Sequence, residues 1–465
     1  MTSLLDKVLA KIDTMQEQSL DRLFDLLSIA SISTDSAYDQ ECHRAASWLV
    51  TELQSLGFTA SLEPTSGKPM VMAHWKPLHT CPVATVLFYG HYDVQPPDPL
   101  DLWEIPPFKP TIRTSREGRT QIVARGASDD KGQLMTFIEA CRVWLESTGS
   151  LPIEVKILIE GEEENGSPTI IDFLKQHKEA LTADIVLICD TIMWQPGIPA
   201  ITTRLRGNMA EEIVVTAAKH DVHSGFYGGP TVNPIHILVR ILADLHDDQG
   251  RIQLPGFYDH VTEITPEISQ QWTTFNCEED ALLHSIGLST SIGEQGYSLL
   301  EQLWTRPSCS VNGIYGGYQG QGTKTIIPCQ AGAKLSFRLV PDQDPPTIRN
   351  SLHHFIKRRI PDDCTVHFQS HSLSPGVIID TTHHAFRKAQ TALFDEFNTE
   401  AIFIGCGATI PIVGAFKRLL NMESLLIGFA LPDDCMHAPN EKYDQESFHH
   451  GIRCWSRILH ALSNP

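Results

Sequence analysis

The sequence predicts an α/β protein in two parts. A mixed-sheet domain with helices on both faces covers 1–207 and 373–465, and a smaller α+β domain over 208–372 interrupts it. Three observations predict this. The chain has 465 residues, more than one ordinary hydrophobic core serves. Short apolar runs ending in polar residues alternate with helical patterns, as in a sheet buried on both faces. Near Asn208 the pattern changes to longer alternating strands with an amphipathic helix, and the first pattern resumes after about Leu373.

The elements follow in order. Leu4, Leu5, Val8, Leu9 and Ile12 recur at helical spacing. A second helix covers Cys42 to Leu56 and stops at Gly57, which lacks the Cβ that resists a left-handed turn. The strand Ala84 to Tyr89 runs into Gly90-His91-Tyr92-Asp93, and a helix follows over Gly132 to Glu146. The strand Glu154 to Ile159 runs into Glu160-Gly161-Glu162-Glu163-Glu164, and Ile185 to Cys189 runs into Asp190. Ser424 to Ala430 precedes the loop holding His437. Ligand sites in such sheets gather beyond the C-terminal strand ends, where these polar residues fall. In the insert, Glu211 to Ala217 and Ala333 to Val340 read as strands. Ile235 to Leu245 reads as a helix with Leu238, Ile241, Leu242 and Leu245 on one side.

Composition narrows the function. Hydrophobic residues at 42% and charged residues at 20% allow two cores and a soluble surface. The net charge of −20 argues against a nucleic-acid partner, which calls for basic patches. Eleven Cys, odd in number and without a C-x-x-C pair, suit a reducing compartment better than a disulfide framework. The charged N-terminal segment lacks a signal-peptide core, and no apolar run is long enough to span a bilayer. The expectation is a cytoplasmic protein with no membrane partner.

Five residues stand out as candidate metal ligands: His91, Asp129, Glu164, Asp190 and His437. Singly, each has an ordinary reading, such as a hydrogen-bonded His or a solvated acidic run at Glu162 to Glu164. Their joint placement after separate buried strands points to a pair of divalent metals. Such a pair needs imidazole and oxygen ligands and a carboxylate able to bridge. A separate base must take a proton from water, and Glu163 could serve.

Five segments carry a more specific resemblance: Gly90 to Pro96 (GHYDVQP), Ala124 to Gly132 (ARGASDDKG), Glu160 to Ser167 (EGEEENGS), Asp221 to Gly225 (DVHSG) and Met436 to Glu441 (MHAPNE). In that order they resemble the aminoacylase/carnosinase-type family of dinuclear metallopeptidases, in particular its cytosolic nonspecific dipeptidase and carnosinase branch. The resemblance covers nearly the whole chain. It implies that His91 and Asp190 hold one metal, Glu164 and His437 the other, and that Asp129 bridges them. It makes Asp93 the group that orients His91, a role metal-site physics also expects. Glu163 becomes general base and then general acid, and the Asp129–Asp130 peptide is cis. Asp190 stands where the carboxypeptidase and deacylase branches have Glu, which favours the peptidase side.

Three further assignments follow from the resemblance. His223 comes from the lid domain of a neighbouring subunit and polarises the scissile carbonyl. Arg338 grips a substrate carboxylate, for which a planar guanidinium is suited. Thr325 and the Gly407 to Pro411 turn, with Thr409, contact the same end of the substrate. The function implied is metal-dependent hydrolysis of dipeptides or short peptides with a free C-terminal carboxylate, by a water shared between the metals and activated by Glu163. Two divalent ions per chain are expected, zinc first, with manganese or cobalt also suited to such ligands. A homodimer through 208–372 is expected, with the Ile235 to Leu245 helix as candidate contact.

Other readings compete. An N-acyl amino-acid deacylase or related amidohydrolase would use the same scaffold. A non-catalytic metal-binding dimer module is opposed by the complete set of ligands and base. A Ser or Cys hydrolase lacks a G-x-S-x-G elbow, and Ser224 and Cys435 read as neighbours of the two functional His.

Overall fold

The apolar runs form strands in the computed structural model, which describes residues 3–77, 84–273, 282–284 and 286–463. The chain divides into two compact units. One is Met1–Thr203, Ile379–Ile404 and Ile412–Pro465; the other is Arg204–Ile378 with Gly405–Pro411. The sequence pattern places Gly405–Pro411 with the first part, but it groups with the second. Arg206 explains this: its Nε donates to Gly407 O (3.1 Å) and its carbonyl accepts from Thr409 Oγ1 (2.6 Å).

In the first unit a mixed sheet runs in the order Thr59–Glu63, Met70–Trp75, Glu154–Glu160, Thr85–His91, Ile185–Ile188, Ser424–Leu426, Ala200–Leu205. The four strands from Glu154–Glu160 to Ser424–Leu426 are mutually parallel, and their outer neighbours are antiparallel. Parallel alignment brings the C-terminal ends of those four strands to one edge.

Side chains alternate across a strand, and Thr85–His91 shows helices on both faces. Phe88 stacks on Phe137 of the helix Lys131–Thr148 (centroids 3.9 Å apart) and meets Trp455 of the helix Gln445–Ser463 edge-on (6.1 Å). Its neighbour Tyr89 points the other way and meets Phe416 (5.7 Å). Phe88, Phe137 and Trp455 are fully buried, and each such side chain contributes about 1.5–3 kcal/mol by leaving water.

The helix predicted from Cys42 forms over Asp39–Ser55, and Gly57 takes φ 85° beyond it. The strand predicted through Ala430 ends instead at Leu426. The N–H groups of Phe429 and Ala430 donate to Gln133 Oε1 (2.7 and 3.2 Å) rather than to a neighbouring strand. Gly428 passes so close to the chain that a Cβ there would lie 1.8 Å from Thr191 O. The run is apolar because it is buried, but a side chain has taken over the ladder's role.

The second unit holds an antiparallel sheet in the order Ser308–Gly316, Gln330–Leu339, Gly207–Thr216, Thr365–Ser374. Met209, Ile213 and Val215 on one face pack with Leu238 and Ile241 of the helix Pro234–Ala243 and with Leu352 and Phe355 of Pro345–Lys357. Arg338 alternates with the buried Phe337 and Leu339 and lies on the opposite face. Among the described residues, no helix is long and apolar enough to cross a membrane.

Candidate metal centre

Three of the candidate ligands follow their strands closely. His91 is the last residue of Thr85–His91, Glu164 follows Glu154–Glu160 by four positions, and Asp190 follows Ile185–Ile188 by two. His437 is reached from Ser424–Leu426 through a loop, and Asp129 precedes the helix Lys131–Thr148. The Asp129–Asp130 peptide is cis. Tertiary structure gathers these five into two groups that share one carboxylate. One atom each from His91, Asp129 and Asp190 lie within 4.8 Å of one another, as do atoms from Asp129, Glu164 and His437. Asp129 Oδ1 lies 3.2 Å from His91 Nε2, and its Oδ2 lies 2.8 Å from His437 Nε2. The groups differ in access, since the His91 side chain is 0% exposed and that of His437 56%.

Asp93 ties this arrangement to its surroundings. It meets His91 Nδ1 through its carbonyl (3.1 Å) and carboxylate (3.3 Å), leaving Nε2 towards Asp129. The same carboxylate accepts the backbone N–H of Glu163 (3.2 Å) and of Glu164 (3.0 Å). One buried carboxylate therefore orients a candidate ligand and pins the turn that aims Glu163 and Glu164. Sequence reasoning found only the first of these roles. It also missed Gln95, whose Nε2 donates to Glu164 Oε2 (2.8 Å) and restrains that carboxylate. Gln95 lies in the GHYDVQP segment, which was the available signal.

The electrostatics show what the centre needs. Burial raises the pKa of Asp190 to about 7, and the Asp129 charge adds to it. Burial likewise raises Glu163 and Glu164, helped by neighbouring carboxylates. Burial alone would lower His91 and raise Asp129, but their contacts reverse both. His91 is held well above its ordinary range by Asp129 and Asp93, and Asp129 well below by His437 and His91. Hydrogen bonds to Asp129 and Glu164 carry His437 to about 10. Too many carboxylates face too few cations. His91 Nε2 is buried without a hydrogen bond of good geometry, although it faces carboxylates on Asp129 and Asp190. A buried imidazole nitrogen facing carboxylate oxygens fits divalent cations, and the N/O donor set suits zinc, manganese or cobalt.

The other four candidates lie in the second unit. Arg338 Nη1 donates to Thr409 Oγ1 (3.1 Å), which in turn donates to Arg206 O (2.6 Å). Arg206 is buried, its head bonded to carbonyls of Gln302, Arg306 and Gly407. Sequence reasoning did not single out Arg206. Burial, with the Arg338 charge beside it, lowers its pKa to about 10. His223 is exposed and pairs across a two-residue ladder with Ile326, next to Thr325, whose carbonyl accepts from Ser224 N (3.0 Å). His223 Nδ1 accepts from Gly225 N (3.0 Å), so a neutral ring carries its proton on Nε2.

The profile of Peptidase family M20/M25/M40 matches residues 87–461. The human Beta-Ala-His dipeptidase is 30% identical, over 98% of this chain and 92% of its own. The Cys-Gly metallodipeptidase DUG1 of Candida albicans is 29% identical, over 97% and 95%. Among solved structures, the di-peptidase Dug1p of Saccharomyces cerevisiae superposes with TM-score 0.85 at 26% identity over all of both chains. Human carnosine dipeptidase 1 gives 0.84 at 28% identity, over 100% of this chain and 99% of the other. On the match across most of its length, the chain belongs to peptidase family M20/M25/M40.

Proposed function

We propose that this protein is a dinuclear metal-dependent dipeptidase acting on short peptides with a free C-terminal carboxylate. The observation that carries the reading is the meeting of two ligand groups at Asp129, beside a half-buried carboxylate, Glu163, that belongs to neither. His91, Asp129 and Asp190 would hold one ion; Asp129, Glu164 and His437 the other. Bound there, divalent ions, zinc first among them, would supply Lewis acidity to a water and to the scissile carbonyl.

The chain's own groups do the rest. Glu163, its basicity raised by burial, takes a proton from water on its carboxylate and returns it to the leaving amine. His223 donates its Nε2 proton to the carbonyl oxygen as negative charge develops there. Arg338 pairs with the substrate carboxylate while Thr409 limits the swing of the guanidinium, and Thr325 contacts the same end. The relatives named above are dipeptidases, which favours unblocked dipeptides over N-acyl amino acids. The assay is a screen on metal-stripped protein reloaded with zinc, manganese or cobalt. Unblocked dipeptides, β-Ala-His and Cys-Gly included, should be cleaved faster than N-acetyl amino acids; the reverse order would make the protein a deacylase.

We further propose a homodimer through the second unit, in which His223 completes the partner's site. Apolar Val239 on the helix Pro234–Ala243 and Val311 and Ile314 on the edge strand Ser308–Gly316 are exposed and support this reading. Chains carrying His223→Ala and chains carrying Glu163→Gln should each be nearly inactive. Co-refolded, they should recover about a quarter of wild-type activity, because half the dimers are mixed and each has one intact site. No recovery after verified exchange would place His223 in its own chain's site.

A further inference from the structure

The loop carrying His437 holds a shape that its sequence disfavours. Cys435, His437 and Asn440 have φ of 56°, 61° and 63°, in the left-handed region where a Cβ crowds the backbone. Three such residues within six positions keep that conformation only where the surroundings over-determine it. Two buried carboxylates do so. Glu441 accepts Arg125 Nη1 (2.8 Å) and Gly126 N (2.8 Å) on Oε2, and Ser128 N (2.9 Å) and Asp129 N (3.0 Å) on Oε1. Asp434 accepts Leu431 N (2.8 Å) within the loop and Ser128 Oγ (2.7 Å) across it, and Lys442 Nζ lies 2.6 Å away. Both carboxylates are fully buried.

The direction of these bonds matters. Glu441 belongs to the His437 loop, and all four of its donors belong to residues 125–129, the segment ending in Asp129. It takes the backbone N–H of Asp129 and leaves the Asp129 carboxylate for other partners. A backbone bond from Ala124 N to Glu441 O (3.2 Å) continues the same seam. The two loops come from opposite ends of the sequence, yet each presents a side chain to the same group of candidate ligands. Asp129 also serves the other group, so its placement affects both.

We propose that Glu441 is a positioning residue. Its carboxylate ties the Asp129 segment to the His437 loop and sets the Asp129–His437 spacing before any ion arrives. Asp434, through Ser128, is the companion tie. The inference rests on reading these groups as a metal centre, and not on which peptide is cleaved.

The test is metal binding to stripped protein, followed by chelator competition with zinc or manganese and without substrate. Glu441→Gln keeps the size but offers one acceptor oxygen and turns an NH2 towards N–H donors. Its affinity for the more weakly held ion should fall about 10–100-fold, as for other groups that orient metal ligands. When reloaded, it should lose kcat with little change in KM. The control is Glu139→Gln. Glu139 is also fully buried and accepts from Ser19, Arg22 and Arg142, none of them a candidate ligand. That variant should lose stability but keep wild-type metal affinity. If Glu441→Gln does not fold, Glu441→Asp keeps the charge and both oxygens one methylene short, and should weaken the same ion. Wild-type affinity for both ions in a folded Glu441 variant would overturn the proposal. If wild-type protein itself bound no divalent ion, the metal-centre reading would fail instead.

Discussion

Asp93 Oδ1 accepts the backbone N–H of Glu163 at 3.2 Å, so the group that orients His91 also holds the candidate base. Glu163→Gln preserves that backbone bond and the side-chain volume while removing the proton acceptor. Turnover should fall by about 100-fold or more, the usual scale for general-base catalysis. Metal content by elemental analysis should not change, because Glu164 is the proposed ligand. A near wild-type rate would mean that the roles of the two carboxylates are misassigned and that Glu163 is not the base.

Asp129 belongs to both ligand groups. Asp129→Ala should therefore lose both divalent ions, because neither site keeps a full set of ligands. His437→Ala touches only the more exposed group and should retain the ion at His91 and Asp190. Elemental analysis after gel filtration distinguishes the two. Active wild-type protein with a single tightly held ion would sink the dinuclear assignment.

Arg338 has Thr409 as a neutral partner and projects from the face of the sheet opposite the helices. Arg338→Ala should reduce kcat/KM for free dipeptides far more than for the same peptides amidated at the C-terminus. The differential loss should be roughly 1.5–3 kcal/mol for each charge-assisted hydrogen bond removed. Equal losses on both substrate types would make Arg338 a structural cation.

Glu396 on the helix His384–Phe397 accepts from His450 (2.8 Å), Arg453 (2.6 Å) and Arg457 (2.9 Å) on Gln445–Ser463. Burial would raise its pKa, but these donors overcome that and hold it at about 2. A carboxyl depressed in the folded state stabilises it above its unfolded pKa of about 4.3, and that stability is lost as pH falls through 2. The full gap corresponds to about 3 kcal/mol, an upper bound because the arginines are partly exposed. Urea unfolding should find Glu396→Gln less stable than wild type at pH 7, with the difference shrinking as pH falls below 4. A difference that does not change with pH would mean that the helix pair does not depend on this charge.

Much of the fold was legible because local pattern reports local burial. Val86–Tyr89 and Ile185–Ile188 are uninterrupted apolar runs, since central parallel strands are covered on both faces. Gly207–Thr216 alternates strictly, since only one of its faces meets helices. Ser424 to Ala430 was read too long for the same reason. Periodicity reports that a segment is buried, but not whether its N–H groups reach a strand or Gln133.

His91, Glu164 and Asp190 could be named as candidates because each closely follows an apolar strand, and strand ends in such a sheet share an edge. Asp129 and His437 were named with them, and the longer motifs around all five made the assignment specific. What the sequence determined by itself was the kind of element each segment forms and which polar groups lie at its end, because both depend on near neighbours along the chain. Tertiary structure alone decided that Asp93 holds the backbone of Glu163 and Glu164, that Arg206 keeps residues 405–411 in the second unit, and that Glu441 joins loops more than 300 positions apart. These are bonds from side chains to distant backbone groups. A backbone N–H or carbonyl is the same at every residue, so no local pattern marks which one a buried side chain will reach.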